Sequence, residues 1–229
     1  MYKDKKILGI IPARGGSKGI PRKNIIDLGG KPLIYHSISE SKKSKYLTDL
    51  FISTDDNEIT KYVESLGCQI IDRPKEISLD TSRTEECLIH AIETLSKKGL
   101  NYDFIVVLEP TSPFRKSLTI DKCIKQIIDF EQESLLTVIE SYENIGIISQ
   151  GNYFRPIREK APRRRQEREP FYIESSTVYI SSIDYLLKNK SLVSNNWGTI
   201  IINKEESIDI NEKIDLEYAR FIFDFLKDK

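Results

Sequence analysis

Residues Ile11-Pro12-Ala13-Arg14-Gly15-Gly16-Ser17-Lys18-Gly19-Ile20-Pro21-Arg22-Lys23-Asn24 continue directly from the apolar run 6–11, KILGII. A run this short and rich in β-branched residues reads as a buried strand. The stretch after it holds three glycines, two prolines and four cations. In open α/β sheets ligands sit beyond the carboxyl ends of strands, where this loop begins. Gly15, Gly16 and Gly19 allow backbone N–H groups to turn inward without a Cβ in the way. Arg14, Lys18, Arg22 and Lys23 add forked and point-like charge. Together they predict a polyphosphate cradle, with a solvated basic loop as the plain alternative. Neither GxxxxGK[ST] nor GxGxxG occurs here.

Outward from the loop, a helix is expected over 31–44, a strand over 50–53, a helix over 58–66 stopped by Gly67, and a strand over 68–71. Ser82-Arg83-Thr84-Glu85 resembles a capping box. The helix it opens carries Cys87, Leu88, Ala91, Ile92 and Leu95 at helical spacing. A strand over 104–108, a helix with Ile120, Cys123, Ile124, Ile127 and Ile128 inward, and a strand over 135–139 complete the alternation. Such alternation implies βαβ units and a mostly parallel sheet. The rhythm breaks over about 142–171, an excursion from one α/β domain spanning 1–229. Strands over 177–180 and 200–202 and an amphipathic helix over 212–226 follow.

Lys+Arg and Asp+Glu number 35 each, so no global basic field supports a general nucleic-acid binder. The N-terminus MYKDKKILGIIPA lacks a signal-peptide apolar core, and no apolar run approaches the ~20 residues of a membrane helix. Cys68, Cys87 and Cys123 form no CxxC pair and read as buried free thiols. A soluble cytoplasmic protein, with no membrane partner, is expected.

IPARGGSKGIPRKN closely resembles the signature of the CMP-sialic acid synthetases (acylneuraminate cytidylyltransferases). The resemblance continues through Arg73-Pro74, Asp80-Thr81, PTSPFR at 110–115, Arg164-Arg165-Gln166 and SIDI at 207–210. It implies a Rossmann-like nucleotide-diphosphosugar transferase fold, α/β, with a small dimerisation insertion at about 142–173. It also implies a homodimer that transfers CMP from CTP, with Mg²⁺, to the anomeric hydroxyl of a 3-deoxy-2-ulosonic acid. Acceptors in the family include sialic, legionaminic and pseudaminic acids.

On that resemblance Arg14, Ser17 and Lys23 match positions around the triphosphate, and Asn24, Arg73 and Thr84 positions at the nucleotide. Gly15 and Gly16 join the nucleotide set. Arg14, Lys23 and Asp209 are the catalytic candidates. Arg165, with Gln166 beside it, matches a position for the sugar carboxylate, offered by the partner subunit. Asp209 matches the first metal aspartate, and Asn211 stands where a second is common. Either Asp209 and the phosphates suffice for Mg²⁺, or the site is weaker. Glu109 stands where the family often has Gln, and Ser175 where it often has Asn. Glu109 would repel an anionic sugar unless a cation intervenes, or it accepts hydrogen bonds from the sugar. Activation of another acidic sugar such as KDO, and a non-catalytic nucleotide-binding homologue, are the alternatives. His36 and His90 read as packed or surface residues, Asp215 as a first-turn helix carboxylate, and Asp55 and Asp56 as site residues or helix caps.

Overall fold

The first apolar run forms β1 (Ile7–Pro12). The computed structural model describes residues 1–160, 162–195 and 197–227, so Ala161 at the head of APRRRQERE lies outside the described residues. After β1 come a short hairpin, β2 (Asp27–Leu28) and β3 (Lys31–Pro32), and then α1 (Leu33–Lys43). The alternation continues with β4 (Asp49–Thr54), α2 (Asn57–Ser65), β5 (Gln69–Asp72) and α3 (Thr84–Lys97). It then runs through β6 (Phe104–Val107), α4 (Ser117–Asp129) and β7 (Ser134–Ser141). A hairpin of β8 (Gly146–Ser149) and β9 (Tyr153–Pro156) leads to β10 (Phe171–Ser182). The chain closes with α5 (Ile183–Asn189), β11 (Gly198–Ile201) and α6 (Lys213–Lys227).

Seven strands form one sheet in the order β11-β7-β10-β6-β1-β4-β5. Each paired neighbour is parallel except β10, which runs antiparallel to both β6 and β7. β1 sends the chain to β4 on one side and pairs with β6 on the other, which opens a crevice at its carboxyl end. Its side chains alternate between two cores, as strand geometry requires. Ile7 and Ile11 pack with α1, α2 and α4, while Leu8 and Ile10 pack with α3 and α5. A third cluster joins Ile20 of the glycine loop to Ile208, Ile210 and Leu216. That cluster clamps the loop against the segment leading into α6.

The structure departs from expectation in several places. The box at the start of α3 is shifted by one residue: Arg83 N–H donates to Glu86 Oε2 at 3.0 Å, whereas the Ser82 hydroxyl accepts from Leu79 N–H. β10 runs twelve residues rather than four. Its first half pairs only with β7, and a register shift between Ser175 and Tyr179 marks where it enters the sheet. α5 was not expected at all. The excursion is a ribbon and hairpin carrying exposed Ile147, Ile148, Tyr153, Phe154, Ile157, Tyr172 and Ile173. Cys87 and Cys123 are buried free thiols, but Cys68 is half-buried. Among the described residues no helix is long and apolar enough to cross a membrane.

Candidate active site

A cleft of about 380 Å³ opens at the carboxyl ends of the central strands. It gathers Arg14, Ser17, Lys23 and Asn24 from the glycine loop, Arg73 and Thr84 from the β5–α3 side, Glu109 from beyond β6, and Asn211. Residues nearly 200 positions apart thus share one wall-to-wall space.

The loop is shaped by close approach rather than by left-handed backbone. None of Gly15, Gly16 and Gly19 has a positive φ. A Cβ on Gly19 would meet the Asn211 carbonyl oxygen at 2.3 Å, and one on Gly15 would meet Asp56 Oδ2 at 2.6 Å. A Cβ on Gly16 would meet nothing within 4 Å. The Gly15 N–H is committed to Asp55 Oδ1 at 3.0 Å, so it does not turn into the cleft. Arg22, in the left-handed region at φ 58°, pairs with Asp56 at 2.7 Å and with Glu58. It therefore leaves the predicted cradle for the start of α2. Arg14 reaches Asp80 at 2.7 Å, and Lys18 reaches the same carboxylate at 3.4 Å. Buried Asn24 donates from Nδ2 to the Arg14 carbonyl at 2.9 Å and so ties the two ends of the loop together.

Asp56 caps α2 by accepting from Glu58 and Ile59 N–H. Asp215 Oδ2 likewise accepts from Asn211 and Glu212 N–H at 2.9 and 2.8 Å, which makes it a helix-start carboxylate. His36 bonds the Leu28 carbonyl and meets Phe223 edge-on, and His90 lies beside Thr94 on α3.

Lys23 Nζ donates to the Ile210 carbonyl at 2.9 Å and to Asn211 Oδ1 at 3.4 Å. Burial lowers its proton affinity, against the pull of Asp209 and Glu109. Asn211 Nδ2 donates to Asp209 Oδ2 at 2.7 Å, while Asp209 Oδ1 is buried with no hydrogen-bond partner. That orphaned oxygen fits a hard cation. Mg²⁺ takes one or two carboxylates and completes its shell with phosphate and water. Among the described residues no cluster of three His, Cys, Asp or Glu exists to hold a metal by protein alone. Asp209 is the residue that would hold Mg²⁺, with the Asn211 amide steadying it.

Arg73 is buried rather than a surface residue before a turn. Its Nη2 donates to the Ser53 carbonyl at 2.6 Å and its Nε to Ser53 Oγ at 3.3 Å. The guanidinium is locked along one edge and lines the cleft with the rest.

One charged residue escaped sequence reasoning. Arg115 is 1% exposed. It donates to the Thr177 carbonyl at 2.5 Å, Ser37 Oγ at 3.0 Å and the Glu109 carbonyl at 2.8 Å. Burial pulls its proton affinity down to about 10, against the charges of Glu109, Asp209 and Glu206. It supplies the cation that Glu109 needs nearby. The available signal was its position at the end of the apolar, turn-rich PTSPFR.

Three sugar candidates lie away from this cleft within one chain. Ser175 is buried against Thr177 Oγ1 at 2.8 Å. Arg165 and Gln166 sit on an exposed 3₁₀ turn, Arg165–Glu167. The Arg165 guanidinium lies 5.8 Å from the Tyr142 ring, beside a separate groove of about 210 Å³. Arg168, given no role from sequence, holds the turn by donating to the carbonyls of Pro162, Tyr142 and Arg163.

The cytidylyltransferase family profile matches residues 8–220. The chain is 31% identical to a CMP-N,N'-diacetyllegionaminic acid synthase of Legionella pneumophila, over 92% of this chain and 93% of that one. It is 28% identical to a pseudaminic acid cytidylyltransferase of Campylobacter jejuni, over 95% and 96%. An N-acylneuraminate cytidylyltransferase of Escherichia coli is 27% identical over 93% of this chain, which spans about half (51%) of that relative's length. In solved structures the same fold occurs in a CMP:2-keto-3-deoxy-manno-octonic acid synthetase complexed with CTP. There the TM-score is 0.73 at 16% identity, covering 98% of this chain and 100% of that one.

Proposed function

The chain belongs to the cytidylyltransferase family, among the synthetases of CMP-sialic, CMP-legionaminic and CMP-pseudaminic acids, and from that premise we propose how its own residues perform the transfer. It joins CMP from CTP to the anomeric hydroxyl of a nonulosonic acid and releases pyrophosphate. The observation that carries this reading is the meeting of Arg14, Lys23, Arg73, Thr84, Glu109 and Asn211 in one cleft.

Arg73, pinned by Ser53, presents its remaining donors to the cytosine, with Thr84 at the start of α3 beside it. Ser17 and the Gly16 backbone, which has open space around it, receive the triphosphate. Arg14 and Lys23 neutralise its charge, and such transfer depends mainly on positioning and neutralisation. Asp209 would hold Mg²⁺, which when bound neutralises phosphate oxygens and aligns them. The CTP requirement supports a cytoplasmic location.

The apolar surface of the 142–173 excursion supports a homodimer, with Arg165 and Gln166 reaching the sugar carboxylate across the interface. Ser175, buried in the hydroxyl cluster, supports the wall behind the sugar rather than touching it.

The test is pyrophosphate release with Mg²⁺ and CTP, offering 3-deoxy-ulosonic acids one at a time and other nucleotides as controls. Release with CTP and one nine-carbon acid, from a preparation that scatters light as a dimer, is the expected result. No release with any acid refutes the reading, and a monomer with full activity refutes the shared site.

A further inference from the structure

Glu109 lines the cleft together with Lys23, Arg73 and Asn211. Its main chain is held unusually firmly. One carbonyl accepts from Arg115 Nη2 at 2.8 Å, Ser37 Oγ at 3.1 Å and Ser112 N–H at 3.3 Å. Those donors come from the β6–α4 loop and from α1. Next door, Ile210 N–H donates to the Thr111 carbonyl at 2.9 Å, which locks the loop to the segment carrying Asp209.

The carboxylate itself accepts no hydrogen bond among the described residues. The residue is only partly buried, so those oxygens face the open cleft. A carboxylate fixed at its root and left without a donor is set to take one from whatever fills the cleft. The Tyr179 hydroxyl, which could donate to it, is spent on Glu174 Oε1 at 2.7 Å.

The charged and titratable groups facing it are Asp209, Arg115, Lys23 and Tyr179. Burial and the Asp209 charge raise its proton affinity above that of an ordinary carboxylate, while Arg115 and Lys23 hold the rise in check. A base works best with a proton affinity near the working pH, which is the direction of this shift.

We propose that Glu109 is the general base of the transfer, taking the proton of the acceptor hydroxyl as that oxygen attacks the α-phosphorus of CTP. The proposal rests on the function proposed above. The acceptor O–H bond breaks and its proton goes to a Glu109 carboxylate oxygen. The freed electron pair forms the new O–P bond. The bond from the α-phosphorus to its bridging oxygen breaks, and that pair leaves with pyrophosphate. Arg115 and Ser37 are positioning residues, since they touch Glu109 rather than the reacting atoms.

The test is Glu109→Gln, which keeps the shape and loses the proton acceptor. CTP should raise its thermal midpoint as in the wild type. Its kcat should fall about 100-fold or more, with KM for the sugar acid changed by less than about threefold. Wild-type kcat should rise with pH through an acidic limb, because the base acts only when deprotonated, and the variant should lose that limb. Glu109→Asp should recover part of the rate, with an acidic limb that is present but displaced from its wild-type pH.

A Glu109→Gln enzyme within about threefold of wild-type kcat overturns the proposal. So does a slow variant that keeps the acidic limb, or one whose defect is confined to KM. If Glu109→Gln does not fold, a Glu109→Asp enzyme with an unmoved limb overturns it. Wild-type turnover beside an unaffected Glu109→Gln sinks the base alone. No wild-type turnover with any acid sinks the function and the base together.

Discussion

Gly19→Ala tests whether the glycine loop and the segment before α6 form one unit. The new Cβ would lie 2.3 Å from the Asn211 carbonyl oxygen, a main-chain atom that cannot swing aside. The contact must open by about 0.7 Å to reach the 3.0 Å that Cβ atoms tolerate. Separating the two segments strains the Lys23–Ile210 bond of 2.9 Å and the packing of Ile20 on Ile208 and Ile210. Overpacking of this kind costs about 1–3 kcal/mol. A displacement approaching 1 Å in a catalytic site costs up to about 100-fold in rate. Gly16→Ala is the control, because its Cβ meets nothing and its φ is not positive. Without ligand it should match or exceed wild-type stability by a few tenths to about 1 kcal/mol. The assay is thermal unfolding with and without CTP, followed by kcat. Gly19→Ala should lose several degrees and most of its rate, whereas Gly16→Ala should keep its midpoint and lose CTP binding. A Gly19→Ala protein with wild-type midpoint and rate would refute the close approach.

Asp56→Ala removes the cap of α2 and the partner of Arg22, and should cost about 1 kcal/mol at neutral pH by denaturant unfolding. Burial opposes ionisation of Asp56, but the Ile59 and Glu58 N–H groups and Arg22 prevail and hold it below its ordinary 3.8. The folded chain thus binds fewer protons there than the unfolded chain, so this stability is complete above 3.8 and fades as pH falls below it. A variant gap that does not narrow in acid would contradict the assignment. Arg73→Lys cannot span both Ser53 bonds and should weaken CTP binding about tenfold or more by calorimetry. Unchanged affinity would remove Arg73 from the nucleotide site.

The α/β core was legible because each element advertises its burial. Ile7, Ile11, Leu8 and Ile10 alternate between two cores, and α3 repeats Cys87, Leu88, Ala91, Ile92 and Leu95 on one face. The first half of β10 was not, since Phe171–Ser175 pairs only with β7 and carries exposed Tyr172 and Ile173. α5, seven residues long, buries only Ile183 and Leu186 and offers too little periodicity to read. That the glycine loop lines a cleft was legible because its glycines and cations are contiguous in the chain. Even there, chain order could not reveal that Arg22 turns to α2 or that Asp55 claims the Gly15 amide. Arg115 was illegible for the opposite reason. Its partners Ser37 and Thr177 come from two distant segments that only the fold assembles.

On the function proposed above, the Asp80 carboxylate that bridges Arg14 and Lys18 would make nucleotide binding an ion exchange rather than a simple neutralisation. A triphosphate arriving at these cations must displace an anion already tethered there, and the loop gives up one counter-charge as it gains another. Added salt weakens the outgoing pair along with the incoming one, because both are screened. The grip on nucleotide therefore varies less with ionic strength than a count of the loop's cations would imply. In addition, the bound triphosphate repels the freed Asp80 carboxylate of the 78–83 segment. Nucleotide arrival and the departure of that segment from the cleft mouth become two faces of one equilibrium.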